Sequence, residues 1–177
     1  MNKLFLISGP CIVENETTPY LIAKTVKPIC DELGIEYIFK ASYRKANRTR
    51  VDSFTGIGDE AALQIIQGIG REFGVKTLTD IHESHEAAMV AAYVDVLQIP
   101  AFLCRQTALL QAAGETGKIV NIKKGQFVSP EAMKYPVEKV LATGNRNVWV
   151  CERGFTFGYE DLIVDATVIP RLKKHGQ

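Results

Sequence analysis

The chain has 177 residues, 46% of them hydrophobic, and a formal net charge of +1, so it can bury a sizeable core. That balance excludes the general basic field of a nucleic-acid binder, and no apolar run approaches membrane-spanning length. Four widely spaced cysteines (Cys11, Cys30, Cys104, Cys151) contain no CxxC pair, which suits free thiols in a reducing cytoplasm.

The N-terminal MNKLFLISGPC carries a single Lys and a short apolar run. This is too little for a secretory signal and reads as a first strand. Strands are predicted at Leu4–Ser8, Glu36–Ala41, Val75–Thr79, Val94–Gln98, Ile119–Ile122 and Asn147–Cys151. Amphipathic helices are predicted near 19–33, 59–72, 84–92, 105–116 and 130–142, with a last one near 160–174. Thr18 before Pro19, Asp59 after Gly58, Ser84 and Ser129 before Pro130 mark helix starts, and Gly34, Gly74, Gly117 and Gly144 mark ends. With no linker or low-complexity segment, residues 1–177 read as one domain.

Strict alternation of strands and helices implies a parallel sheet, and near-continuous apolar strands imply burial on both faces. Polar chemistry follows every strand: Cys11 and Glu14, then Lys40, Lys45 and Arg48, then Asp80, His82 and Glu83, then Arg105, then Lys123 and Lys124, then Glu152 and Arg153. Function spread over all strand ends is the habit of a (β/α)8 barrel, whereas a doubly wound sheet concentrates it at one switch point beside a glycine-rich turn. Neither GxGxxG nor a P-loop occurs, so no nucleotide cofactor is expected. Six βα units are readable where a complete barrel has eight. The reading therefore expects the remaining two beyond residue 177 or from another chain.

The segment Phe39–Thr49, FKASYRKANRT, places Lys40, Lys45 and Arg48 with Asn47 and Thr49 directly after a buried strand. Cations so grouped repel one another unless an anion joins them, which reads as a receptor for phosphate or carboxylate. The plainer reading is a solvated basic turn. Cys11 taken alone reads as a small buried thiol. Cys30, Cys104 and Cys151 read as packing, as do Phe73 and Trp149. The HESH run at His82–His85 has i, i+3 spacing rather than HExxH, so a zincin is rejected and His85 is expected on the surface. Lys123 and Lys124 are adjacent on a strand and must point to opposite faces.

The motifs GPC (9–11), FKASYRKANRT (39–49), TDIHE (79–83), QIPAFLCRQT (98–107), NIKKGQF (121–127) and ERGFTFGY (152–159) resemble the 3-deoxy-D-manno-octulosonate 8-phosphate synthase family. The resemblance runs through the whole chain in order. It implies a TIM-barrel transferase, commonly a cytoplasmic homotetramer of bacterial lipopolysaccharide synthesis, that condenses phosphoenolpyruvate with arabinose 5-phosphate. The sister DAHP synthases, which take erythrose 4-phosphate, typically carry a KPRTS-like loop where this chain has KANRT. A sialic-acid-type synthase is a more distant alternative. A non-catalytic fragment that keeps only the phosphate-binding loops is another.

By the same resemblance, which selects Lys123 over Lys124, Lys123 and Arg153 hold the phosphate of phosphoenolpyruvate. Lys40, Ser42 and Lys45 surround its carboxylate and reacting carbons, with Gln98 nearby. Asn47, Arg48 and Thr49 grip the sugar phosphate and hydroxyls, Arg105 reaches that phosphate from a neighbouring subunit, and Asp80 and His82 line the centre. Lys45, Asn47, Asp80 and His82 are the implied catalytic residues. Cys11 stands where metal-dependent members carry a ligand for zinc, iron or manganese; the other ligands of the family lie on the last two units. Arg44 replaces a common Asp, and Thr49-Arg50 replaces Ser-Ser.

Overall fold

The computed structural model describes residues 4–176. By internal contacts the chain forms two compact units, one of residues up to Asp80 plus Ala92–Asp95, the other of Ile81–Ala91 plus residues from Val96 onward.

The first unit holds β1 (Phe5–Ser8), α1 (Thr17–Glu32), β2 (Glu36–Lys40), α2 (Asp59–Phe73) and β3 (Lys76–Asp80). Its strands are parallel and adjacent in chain order, with Ile7 beside Ile38 and Lys40 beside Leu78. Helix α1 starts at Thr17, one residue before the expected Thr18–Pro19 signal, and just ahead of it Asn15 Oδ1 accepts the Thr18 N–H at 2.7 Å. It ends in a Schellman arrangement: Gly34 takes φ 65°, and the N–H groups of Ile35 and Gly34 donate to the carbonyls of Cys30 and Asp31. Helix α2 opens with Asp59 and Glu60 against its positive end and buries Ala62, Leu63, Ile66 and Ile69, a stripe of helical period. A Cβ on Gly70 would stand 2.6 Å from Thr77 Cγ2, so this glycine lets α2 lie close against β3.

The second unit holds α3 (Glu86–Ala91), β4 (Val96–Ile99), α4 (Thr107–Glu115), β5 (Ile119–Lys123), α5 (Lys134–Leu141), β6 (Val148–Cys151), β7 (Phe155–Phe157), β8 (Asp161–Ile163) and α6 (Val168–Leu172). Strands β4, β5 and β6 are again parallel neighbours in chain order. Asn145 ties the end of α4 to the starts of β5 and β6: its Nδ2 donates to the carbonyls of Gly114 and Lys118, and its Oδ1 accepts the Asn147 N–H. Within each unit the strand order never reverses, which is the (β/α)8-barrel arrangement rather than a doubly wound one.

The expected helix over 160–174 is corrected. Residues 155–163 form an antiparallel hairpin with Phe155 opposite Ile163, and only Val168–Leu172 is helical. Gly158, at φ 71°, turns the chain, and the alternation Phe155-Thr156-Phe157 has the strand period of two. Phe73 and Trp149 are half-buried rather than core, Phe73 packing 5.5 Å from the Tyr20 ring. Cys30 and Cys104 are buried and Cys151 half-buried, all three with free thiols. Burial pushes the Cys104 and Cys151 thiols up. No helix among the described residues is long and apolar enough to cross a membrane.

Candidate active site

The predicted residues fall into two groups, one in each unit. In the first, Ser42 is the hub. Its Oγ accepts from Lys45 Nζ at 2.8 Å and from Lys40 Nζ at 3.3 Å, and donates to Asp80 Oδ1. Lys40 ends β2, Asp80 ends β3, and Ser42 and Asp80 are buried. Two ammonium groups and one carboxylate thus meet at a single hydroxyl.

The segment after β1 shapes this group. Gly9 lies against the backbone of Lys40, where a Cβ would fall 1.9 Å from its carbonyl oxygen. Ile12 bridges to Ser42, and Val13 N–H donates to the Ser42 carbonyl at 3.0 Å. Cys11, between them, is exposed, which corrects the buried-thiol reading. Among the described residues no three His, Cys, Asp or Glu side chains lie close enough to hold a metal ion. A catalytic metal generally takes about three protein ligands, so these residues do not by themselves fit one.

Beneath the hub, Tyr43 is fully buried. Burial pushes this phenol up to about 12 against the opposing pull of Arg44, so it stays neutral. Arg44 itself pairs with Asp59 at 3.4 Å and stacks over the Tyr43 ring, giving the charge reversal a local partner. Arg50 likewise grips Asp52 with two bonds of 2.6 and 2.8 Å. Asn47, Arg48 and Thr49 form an exposed arm, fixed where Arg48 Nε donates to the Phe54 carbonyl at 3.1 Å.

In the second unit, Gln98 and Asn121 occupy paired positions on β4 and β5, and Asn121 Nδ2 donates to Gln98 Oε1 at 3.3 Å. Lys123 shares the Asn121 face of β5 and is half-buried, while Lys124 turns away and is 1% exposed. Lys124 Nζ donates to the Gly154 carbonyl at 2.9 Å and lies 3.4 Å from Glu152 Oε1. Arg153 follows at once, and among the described residues its buried Nη1 has no hydrogen-bond partner, nor has Glu152 Oε2. A buried guanidinium nitrogen without an acceptor is a costly arrangement that an anion would relieve.

His82 is buried, its N–H held at 2.7 Å by Glu86 Oε2, which also accepts the Glu83 N–H at 3.2 Å. His85 is exposed. Arg105 is also exposed and lines an open cavity of about 570 Å³ with Phe127, Ser129, Tyr135 and Lys139. Sequence reasoning gave no site role to Asn121, took Glu86 only as part of a helix-start signal, and noted Lys124 and Glu152 only as polar groups after strands. Asn121 was within reach, since it lies two residues before Lys123 on the same strand face.

Residues 1–176 match the model of the DAHP synthetase I family. The chain is 50% identical over 172 residues to a 2-dehydro-3-deoxyphosphooctonate aldolase of Koribacter versatilis, covering 97% of this chain and 62% of that protein. It is 51% identical over 171 residues to the aldolase of the same name from a Cyanothece species, covering 97% and 63%. A Methylococcus capsulatus aldolase of that name is 49% identical over 175 residues, covering 99% and 62%. The chain thus spans less than two thirds of the length of these relatives.

Proposed function

Because the chain belongs to the DAHP synthetase I family, we propose that it carries the condensation of phosphoenolpyruvate with arabinose 5-phosphate. The observation that carries this reading is Arg153 Nη1, buried and without an acceptor, in the same unit as Lys123. A phosphate is the acceptor that a planar guanidinium and an ammonium suit best.

In this reading Lys123 and Arg153 bind the phosphate of phosphoenolpyruvate. Lys40, Ser42 and Lys45, joined through the Ser42 hydroxyl, take its carboxylate, with Gln98 as a further contact. Asn47, Arg48 and Thr49 take the sugar phosphate and hydroxyls, and Arg105 serves that phosphate from a second copy of the chain in a homotetramer. Carbon 3 of phosphoenolpyruvate forms the new bond to the sugar aldehyde carbon, whose oxygen becomes a hydroxyl. Water adds at carbon 2, and the resulting hemiketal phosphate expels inorganic phosphate to leave the ketone. Lys45 and Asn47 donate hydrogen bonds to the oxygen that gains charge, and Asp80 and His82 orient the water and carry its proton.

Cys11 is this chain's candidate ligand for zinc, iron or manganese, and it would need partners beyond the described residues to hold one. The setting proposed is the cytoplasm of a bacterium, in the making of a lipopolysaccharide sugar. Initial rates of phosphate release from phosphoenolpyruvate with each sugar test the reading. Faster turnover with arabinose 5-phosphate supports it, and faster turnover with erythrose 4-phosphate sinks it in favour of the sister synthase.

A further inference from the structure

Lys124 and Glu152 have no part in the reaction as read above, yet each makes several bonds around Arg153. We propose that the two are positioning residues that hold Arg153 in its anion-binding pose, an inference that rests on the phosphate reading of Arg153. Glu152 Oε1 accepts the N–H groups of Arg153 at 2.9 Å and Gly154 at 2.5 Å. Lys124 Nζ, 3.4 Å from that same oxygen, donates to the carbonyl of Gly154 at 2.9 Å and to that of Gly125 at 3.3 Å. The Lys124 N–H in turn donates to the Cys151 carbonyl at 2.8 Å. The backbone is thus clamped on both sides of Arg153, and Gly154, at φ 84°, makes the turn that the clamp requires.

The chemistry argues against a tie of stability alone. Sealing a lysine and a carboxylate from water costs more than an apolar contact of the same size would. Such a pair is well spent where a neighbouring group must be held to within a fraction of an ångström. The sign of the charge gives a sharp test. Glu152 places a negative charge beside an anion site, so by Coulomb's law alone its removal would tighten phosphate binding. Positioning requires the opposite.

The experiment is calorimetric titration of inorganic phosphate and phosphoenolpyruvate into the wild-type chain, Glu152→Ala, Arg153→Ala and the double variant. Glu152→Ala is expected to weaken binding about tenfold despite losing a negative charge. In the Arg153→Ala background it is expected to add no further loss, because the group it positions is gone. Affinity that is unchanged or tighter in Glu152→Ala, or a loss repeated in full in the double variant, overturns the assignment. Should Glu152→Ala fail to fold, Glu152→Asp keeps the charge and withdraws it by one methylene. That variant is expected to weaken phosphate about threefold, and unaltered affinity overturns the positioning role. A wild-type chain that binds neither ligand overturns the functional reading and this inference together. Firm wild-type binding left untouched by both Glu152 variants overturns only the inference.

Discussion

Lys124 Nζ stands 3.4 Å from Glu152 Oε1, with the two side chains 1% and 12% exposed, so a largely buried ion pair joins the residues that directly follow β5 and β6. Removing one partner strands the other charge in a sealed place. Lys124→Met is therefore expected to cost about 3–5 kcal/mol of stability. Glu152→Gln added to it should restore part of the loss. Urea unfolding of both singles and the double checks this, and strictly additive losses would contradict a coupled pair.

Two glycines should respond to alanine in opposite directions. At Gly9 a Cβ would lie 1.9 Å from the Lys40 carbonyl oxygen, so backbone must move. Gly9→Ala is expected to cost about 1–3 kcal/mol and to weaken phosphoenolpyruvate binding by displacing Lys40. Gly68, within α2, has nothing within 4 Å of its Cβ position. Gly68→Ala is expected to stabilise by about 0.5–1 kcal/mol. Denaturation midpoints decide both cases.

Ser42 accepts from two lysines and donates to Asp80, so its hydroxyl organises three charges at once. Ser42→Ala is expected to leave the fold intact while lowering kcat/KM for phosphoenolpyruvate about ten- to a hundredfold. A variant with wild-type kinetics would show that the lysines keep their places without the hub.

Alkaline stability follows from two buried phenols. Tyr37 and Tyr43 are each raised from 10.0 to about 12, chiefly by burial. Below the unfolded value both states are protonated and the contribution is fully present. Above it the unfolded chain ionises first, so stability falls as pH rises from about 10 to about 12. Stability measured across that window, with phenolate absorbance as the second signal, should decline, and a flat profile would contradict the burial argument.

Much of the architecture was legible because the predicted strands are short apolar runs followed by polar residues, and four of the helix patterns end at a glycine (Gly34, Gly74, Gly117 and Gly144). The hairpin at 155–163 was not. Leu162, Ile163, Val168 and Ile169 can be placed on a helical face as easily as on a strand, and the turn at Gly158 is decided by pairing between Phe155 and Ile163. Within the site, Lys40, Lys45 and Arg153 were visible as cations at strand ends. The role of Ser42 as the junction of the two lysines was not, because a hydroxyl's partners depend on where Asp80 comes to lie. The contrast between Lys123 and Lys124 followed from strand parity, yet nothing in the sequence showed that the buried one meets Glu152.

The central claim is tested most directly by product identity. The protein is incubated with phosphoenolpyruvate and equal amounts of arabinose 5-phosphate and erythrose 4-phosphate, and the sugar-acid phosphates are weighed by mass spectrometry. The account predicts that the eight-carbon product predominates. A predominant seven-carbon product, or no condensation product from either sugar, would contradict it.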